Sequence, residues 1–137
     1  HLAIHRNTFR RLKTKGSQRF IPLIGIALEA ATKAIAGSKG VWLFPSYIDF
    51  EKQTTKNNQA SGATNKQIRS VLGQAAPTAH SFRHTMQTRL RQVDCPESLR
   101  NELGGWVKTV SESYGSSKDL RRKTKYLRKV LDQQHLS

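Results

Sequence analysis

The sequence predicts an α+β chain that is mostly helical, with a small antiparallel β-hairpin sheet at its N-terminal edge packed on a helical bundle. Three observations carry this. Two short strand-like runs at the start flank a turn-rich basic segment. From Ile24 onward, apolar residues recur at helical rather than alternating spacing. Glycine and proline punctuate these stretches at intervals of ordinary helix length.

In chain order, Leu2-Ala3-Ile4-His5 and Arg19-Phe20-Ile21-Pro22-Leu23 read as the two strands, with Lys13-Thr14-Lys15-Gly16-Ser17 as a basic hairpin tip. Ile24, Ala27, Leu28, Ala31 and Ile35 mark one helical face, and Gly37 is a natural stop. Val41-Trp42-Leu43-Phe44-Pro45 reads as a short buried strand or extended segment, and residues 46–64, rich in Thr, Asn, Ser and Gly, as a long loop. A helix is expected around Asn65–Gly73, broken before Pro77. Further helices are expected over Ser81–Val93 and Pro96–Leu103, the latter ended by Gly104-Gly105. A last helix follows Ser116-Ser117-Lys118-Asp119, a capping-box pattern, with Leu120, Leu127, Val130 and Leu131 along one side.

With 137 residues, 36% of them apolar, the chain has the size of one domain or a large piece of one. No apolar run reaches the roughly 18 residues of a membrane span, and the start, HLAIHRNTFRRLK, has no signal-peptide centre. The single cysteine, Cys95, forms no internal disulfide, which is compatible with a reducing, cytoplasmic compartment. The net charge is +15 and unevenly placed. Residues 1–20 hold Arg6, Arg10, Arg11, Lys13, Lys15 and Arg19 with no acid, and residues 118–129 hold seven basic residues and one acid. Such an imbalance points to a polyanion, and to nucleic acid ahead of an anionic membrane surface.

The chemistry-bearing stretch is His80-Ser81-Phe82-Arg83-His84. His80 and His84 have the i, i+4 spacing of a zinc helix, but the glutamate of HExxH is replaced by Ser81 and no cysteine pair exists, so no metal is expected. Clustered carboxylates for a two-metal nuclease and a GxSxG elbow are also missing. Phosphodiester transfer without metal needs a nucleophile, cations on the non-bridging oxygens and an acid for the leaving oxygen. Arginine suits the second task through its planar fork, histidine the shuttling of protons. The chain offers Lys15, then His80 and Arg83, then Leu103-Gly104-Gly105-Trp106, then Tyr114.

In that order these segments resemble the catalytic domain of tyrosine recombinases, the phage-integrase family. Lys13 to Leu23 resembles the family's lysine hairpin ending in a (V/I)PL strand, His80-Ser81-Phe82-Arg83-His84-Thr85 its HxxRH box, and Gly104-Gly105-Trp106 with Tyr114-Gly115 its path to the nucleophile. The resemblance runs from about residue 1 to 130. It implies that residues 1–137 are a partial catalytic domain. The family's first arginine lies upstream of the hairpin and has no counterpart here, as is the case for the core-binding domain, so this stretch alone is expected to be badly impaired.

The resemblance further implies a site-specific DNA recombinase or integrase of a mobile element. Tyr114 is the nucleophile that forms a 3′-phosphotyrosyl link. Arg83, His80 and Trp106 stabilise the transition state, and Lys15 protonates the 5′-oxygen. Lys13 competes with Lys15 for the hairpin role, and Gly105 with Trp106 for the His/Trp slot, since nine residues back from Tyr114 lands on Gly105. Arg6, Arg10, Arg11, Lys13 and Arg89 are expected on backbone phosphates. No metal or other cofactor is implied. The expected partners are double-stranded DNA and further copies of the chain, as a tetramer on DNA with the C-terminal helix docking in trans. A type IB topoisomerase-like enzyme and a non-catalytic DNA-binding module are the alternatives.

Overall fold

The computed structural model describes residues 1–12, 17–106 and 117–134. The hairpin forms as expected. Strand β1, Leu2–Ile4, pairs antiparallel with β2, Arg19–Ile21, in the register Leu2 to Ile21, Ala3 to Phe20 and Ile4 to Arg19. Just beyond β1 the chain turns back on itself at Asn7. The Asn7 side-chain oxygen accepts from the Phe9 and Arg10 amides at 3.0 and 2.8 Å, an Asx-type turn. The tip residues 13–16, including Lys13 and Lys15, lie outside the described residues.

Helix α1, Gly25–Gly37, follows the predicted bounds but has no buried residue. Its first residue lies beside the C-terminal helix, where a Cβ on Gly25 would come 3.2 Å from Leu131 Cδ1. Of the two expectations for residues 41–44, a strand or an extended segment, the strand does not form, and a 3-10 turn over Pro45–Tyr47 leads into a small second hairpin, β3 at Ile48–Asp49 and β4 at Thr54–Thr55. Val41 and Phe44 are exposed, and Trp42 instead meets Phe9 and Phe50 edge-on, with ring centres 4.9 and 6.0 Å away. Strand propensity without a neighbouring edge to pair with yields no strand.

The predicted 46–64 loop is also corrected, because α2 starts at Asn57 and runs to Leu72. Its first two turns are polar and carry no apolar period to betray them. The helix ends at Gly73, φ +88. Helix α3, Ala79–Gln92, begins against α2: the Asn65 side-chain oxygen accepts from the Ala79 amide at 2.8 Å and satisfies one of the free N–H groups of the first turn. Asp94, φ +54, reverses the chain, and the Cys95 amide donates to Leu90 O at 3.0 Å. Helix α4, Glu97–Gly104, follows, and then α5, Ser117–Gln134.

The core sits where α3, α4 and α5 meet β2. Leu90, Val93, Cys95, Leu99, Leu103 and Val130 are buried there, with Ile21, Tyr126 and Leu127 packed around them. Helix α5 therefore lays its apolar stripe on its own chain. One charge is enclosed with it: Lys123 is 2% exposed, 3.0 Å from Glu102 of α4, and donates to Phe20 O of β2 at 3.4 Å. That single ammonium ties three elements together. The whole is mostly helical with small two-stranded antiparallel sheets. Among the described residues, no helix is long and apolar enough to cross a membrane.

Candidate nucleic-acid interface

Between the two hairpins, the first half of α3 and the C-terminal end of α4 lies an open groove of about 1070 Å³. Its floor and walls come from segments far apart in sequence. The Asn7 turn contributes Phe9, Arg10 and Arg11, β2 contributes Arg19, the β3–β4 hairpin contributes Lys52, α3 contributes Arg83 and the end of α4 contributes Gly104 and Gly105. Five of the lining residues are cationic and none is acidic among the described residues. The aromatic trio of Phe9, Trp42 and Phe50 binds the turn to the neighbouring loop and so fixes one wall, Phe9 and Phe50 lying 5.9 Å apart.

Arg83 reaches the groove because it shares the inward stripe of α3 with Gln87 and Leu90, one and two turns on. Its guanidinium lies over the Trp106 ring, 4.8 Å from the centroid. Such a stack holds the cation by the ring's negative face while leaving its N–H edge free to donate. Trp106 can fold back this way only because residue 104 has no side chain: a Cβ on Gly104 would run into the indole. Gly105 next to it adopts a left-handed conformation, φ +64, and closes α4. The Trp106 amide then donates to Asn101 O at 3.1 Å.

Two groove cations, Arg19 and Lys52, were not expected as site residues, and Arg19 is the more enclosed of them. It is half-buried, and its Nη1 donates to Ser17 O at 2.8 Å. Burial, then Arg83, then Arg10 pull its pKa below the usual guanidinium value. A weak signal exists in the sequence. Strand alternation puts Arg19 on the same face as Ile21, which packs on the core, and a charge on an inward face calls for a reason.

The other expected site residues divide clearly. Arg10 and Arg11 line the groove with Arg83. Trp106 supports Arg83 from outside the lining. His80 does not line the groove; it is exposed and its ring meets that of His84 edge-on at 5.0 Å. Arg6 and Arg89 do not line it either, Arg6 being exposed and Arg89 half-buried near the end of α3. Lys13, Lys15 and Tyr114 lie outside the described residues. Among the described residues, no group of three or more His, Cys, Asp or Glu side chains converges as metal ligands would.

What this arrangement can do is bind a chain of negative charges. A groove with several guanidiniums and no acid among the described residues attracts phosphates from a distance and offers them paired donors at contact. The groove is too polar and open to enclose an apolar small molecule. The chain matches no protein-family model, no curated protein and no solved structure.

Proposed function

We propose that the chain is the phosphate-gripping part of a DNA strand-transfer domain of the tyrosine-recombinase kind. The observation that supports this best is the groove lined by Arg10, Arg11, Arg19, Lys52 and Arg83 with no carboxylate among the described residues. A duplex backbone laid along such a groove replaces condensed counterions with guanidiniums, which gives salt-sensitive binding. In the sequence, Tyr114 follows Trp106 by eight residues.

On this reading the phenol oxygen of Tyr114 attacks a backbone phosphorus as the bond to the 5′-oxygen breaks. The phenol proton passes to water in the open groove, since His80 does not line it. Lys15 delivers a proton to the departing 5′-oxygen, and Arg83 holds the non-bridging oxygens while charge builds on them. The ester energy stays in the phosphotyrosyl link, so the reverse attack by another strand's 5′-hydroxyl rejoins DNA with no energy input. Assembly of several copies on DNA, in the cytoplasm with it, belongs to the same reading.

The test is a nicked duplex carrying a 5′-label on the strand to be cut, incubated with the full-length protein that carries this domain, as wild type and as Tyr114→Phe, and run on a denaturing gel. A covalent protein–DNA band from the wild type that Tyr114→Phe lacks, with duplex affinity unchanged, supports the proposal. Affinity without any adduct from either form would leave a DNA-binding module. Relaxation of supercoiled DNA without strand exchange would point to the topoisomerase alternative.

A further inference from the structure

We propose that Arg19 and Arg83 together form one oxyanion site, a two-guanidinium clamp for a single tetrahedral phosphate group. This rests on the reading above for its DNA context, but the geometry that carries it is local. Arg19 comes from a strand and Arg83 from a helix 64 positions later, and they share one groove. Each is held there by the same short segment. Gly105 admits Arg19, since a Cβ at that position would lie 2.5 Å from Nη1 and 2.7 Å from Cζ. Trp106 carries Arg83 on its ring face.

Two half-buried guanidiniums that line one groove, with Arg10 on the same lining and no carboxylate there among the described residues, repel one another. Natural proteins hold like charges together where an opposite charge binds between them. The hydrogen bonding agrees. Arg19 spends one N–H on Ser17 O, while its buried Nε has no hydrogen-bond partner among the described residues. An arginine that is positioned, partly desolvated and short of acceptors is a prepared receptor for an oxyanion, because a phosphate presents several acceptor oxygens to two forks at once. The occupant is therefore a phosphate oxyanion, and it can come from a nucleic-acid backbone phosphodiester or from free inorganic phosphate.

The experiment titrates inorganic phosphate into ¹⁵N-labelled protein and follows the arginine Nε–Hε cross-peaks, assigned with Arg19→Lys and Arg83→Lys. The Arg19 and Arg83 peaks should move along one saturating curve. Arg19→Gln should weaken phosphate binding on the order of tenfold, the usual loss for one charge-assisted hydrogen bond. Lys39→Gln, on the loop after α1, should leave it unchanged. A shift at Arg83 with none at Arg19, or an unchanged affinity in Arg19→Gln, overturns the clamp. If Arg19→Gln does not fold, the two wild-type peaks still decide. A labelled 20-base-pair duplex followed by anisotropy separates the two sources. A parallel loss in Arg19→Gln identifies a phosphodiester. Full duplex affinity alongside lost phosphate affinity rules the phosphodiester out and leaves free phosphate as the ligand. A wild type that binds phosphate through both arginines but no duplex sinks the DNA reading while sustaining the clamp.

Discussion

Replacing Lys123 by methionine removes one charge while keeping the length of the side chain, and the structure sets the size of the effect. Lys123 Nζ and Glu102 Oε2 are 3.0 Å apart, with 2% and 28% of their side chains exposed. At an effective dielectric of about 20, that separation corresponds to an attraction of about 5.5 kcal/mol. Dehydrating the lysine takes back several kcal/mol, so the intact pair contributes little net stability. The contact is charge on charge: Glu102 Oε2 is buried and has no well-directed hydrogen bond among the described residues, despite its closeness to the ammonium. Lys123→Met therefore strands a carboxylate oxygen. Breaking a fully buried pair costs 3–5 kcal/mol, and because Glu102 keeps some water the expected loss here is about 2–3 kcal/mol. Lys123→Met with Glu102→Leu removes both charges and should recover most of that loss. Urea denaturation followed by circular dichroism on the four proteins of the cycle gives the coupling energy directly. If Lys123→Met alone is as stable as the wild type, or the coupling is near zero, the ammonium does not organise this junction.

Three further outcomes are expected. Gly104→Ala gains about 1 kcal/mol of helix propensity but displaces the indole from Arg83. Stability should thus stay near that of the wild type while duplex affinity, read by anisotropy, falls three- to tenfold; unchanged affinity would show the stack to be idle. Asp94→Gly relieves a left-handed residue, φ +54, at the α3–α4 reversal, and should add about 0.5–1 kcal/mol in thermal or urea unfolding. Burial raises the Cys95 thiol pKa, with Arg100 and Arg122 opposing. The folded state then keeps a proton that the unfolded chain has begun to release. Stability should fall as pH rises from the ordinary thiol value towards the raised one, and Cys95→Val should remove that part of the slope.

The elements legible in the sequence are those with an apolar period of their own, whether or not it is buried. Helix α1 shows its period and its stop at Gly37 yet buries no residue, while the stripe of α5 meets the core through Leu127 and Val130. The hairpin was legible from turn composition between two β-rich runs, and its register follows. Helix α2 was not, because its burial is slight and distributed. Only Ala60, Asn65 and Ile68 are half-buried, and its best-defined tertiary contact is the hydrogen bond from the α3 amide to Asn65. A polar helix fixed by its neighbours leaves no periodic trace. Val41 to Phe44 misled in the opposite sense, since large apolar residues imply burial that the fold does not supply. At the site, Arg83 and Trp106 could be singled out from a motif, but Arg19 could not, because its partners become neighbours only when β2 folds against the α4 terminus.

The Gly104-Gly105-Trp106 segment works as one unit at the groove. Each of the three acts on an arginine, and two act by having no side chain. Gly104 leaves room for the indole, Gly105 leaves room for the Arg19 guanidinium, and Trp106 supports that of Arg83. The spacing of the two cations is thereby set by one short piece of backbone rather than by either arginine. Helix α4 carries that backbone, and its preceding turn carries Glu102, held by Lys123, which also bonds to Phe20 beside Arg19. One path of contacts therefore runs from α5 through Lys123 to both sides of the groove. Loosening it should weaken the grip on an oxyanion while every groove-lining side chain is still present, which separates positioning from binding in the same Lys123→Met protein when its phosphate affinity is measured beside its stability.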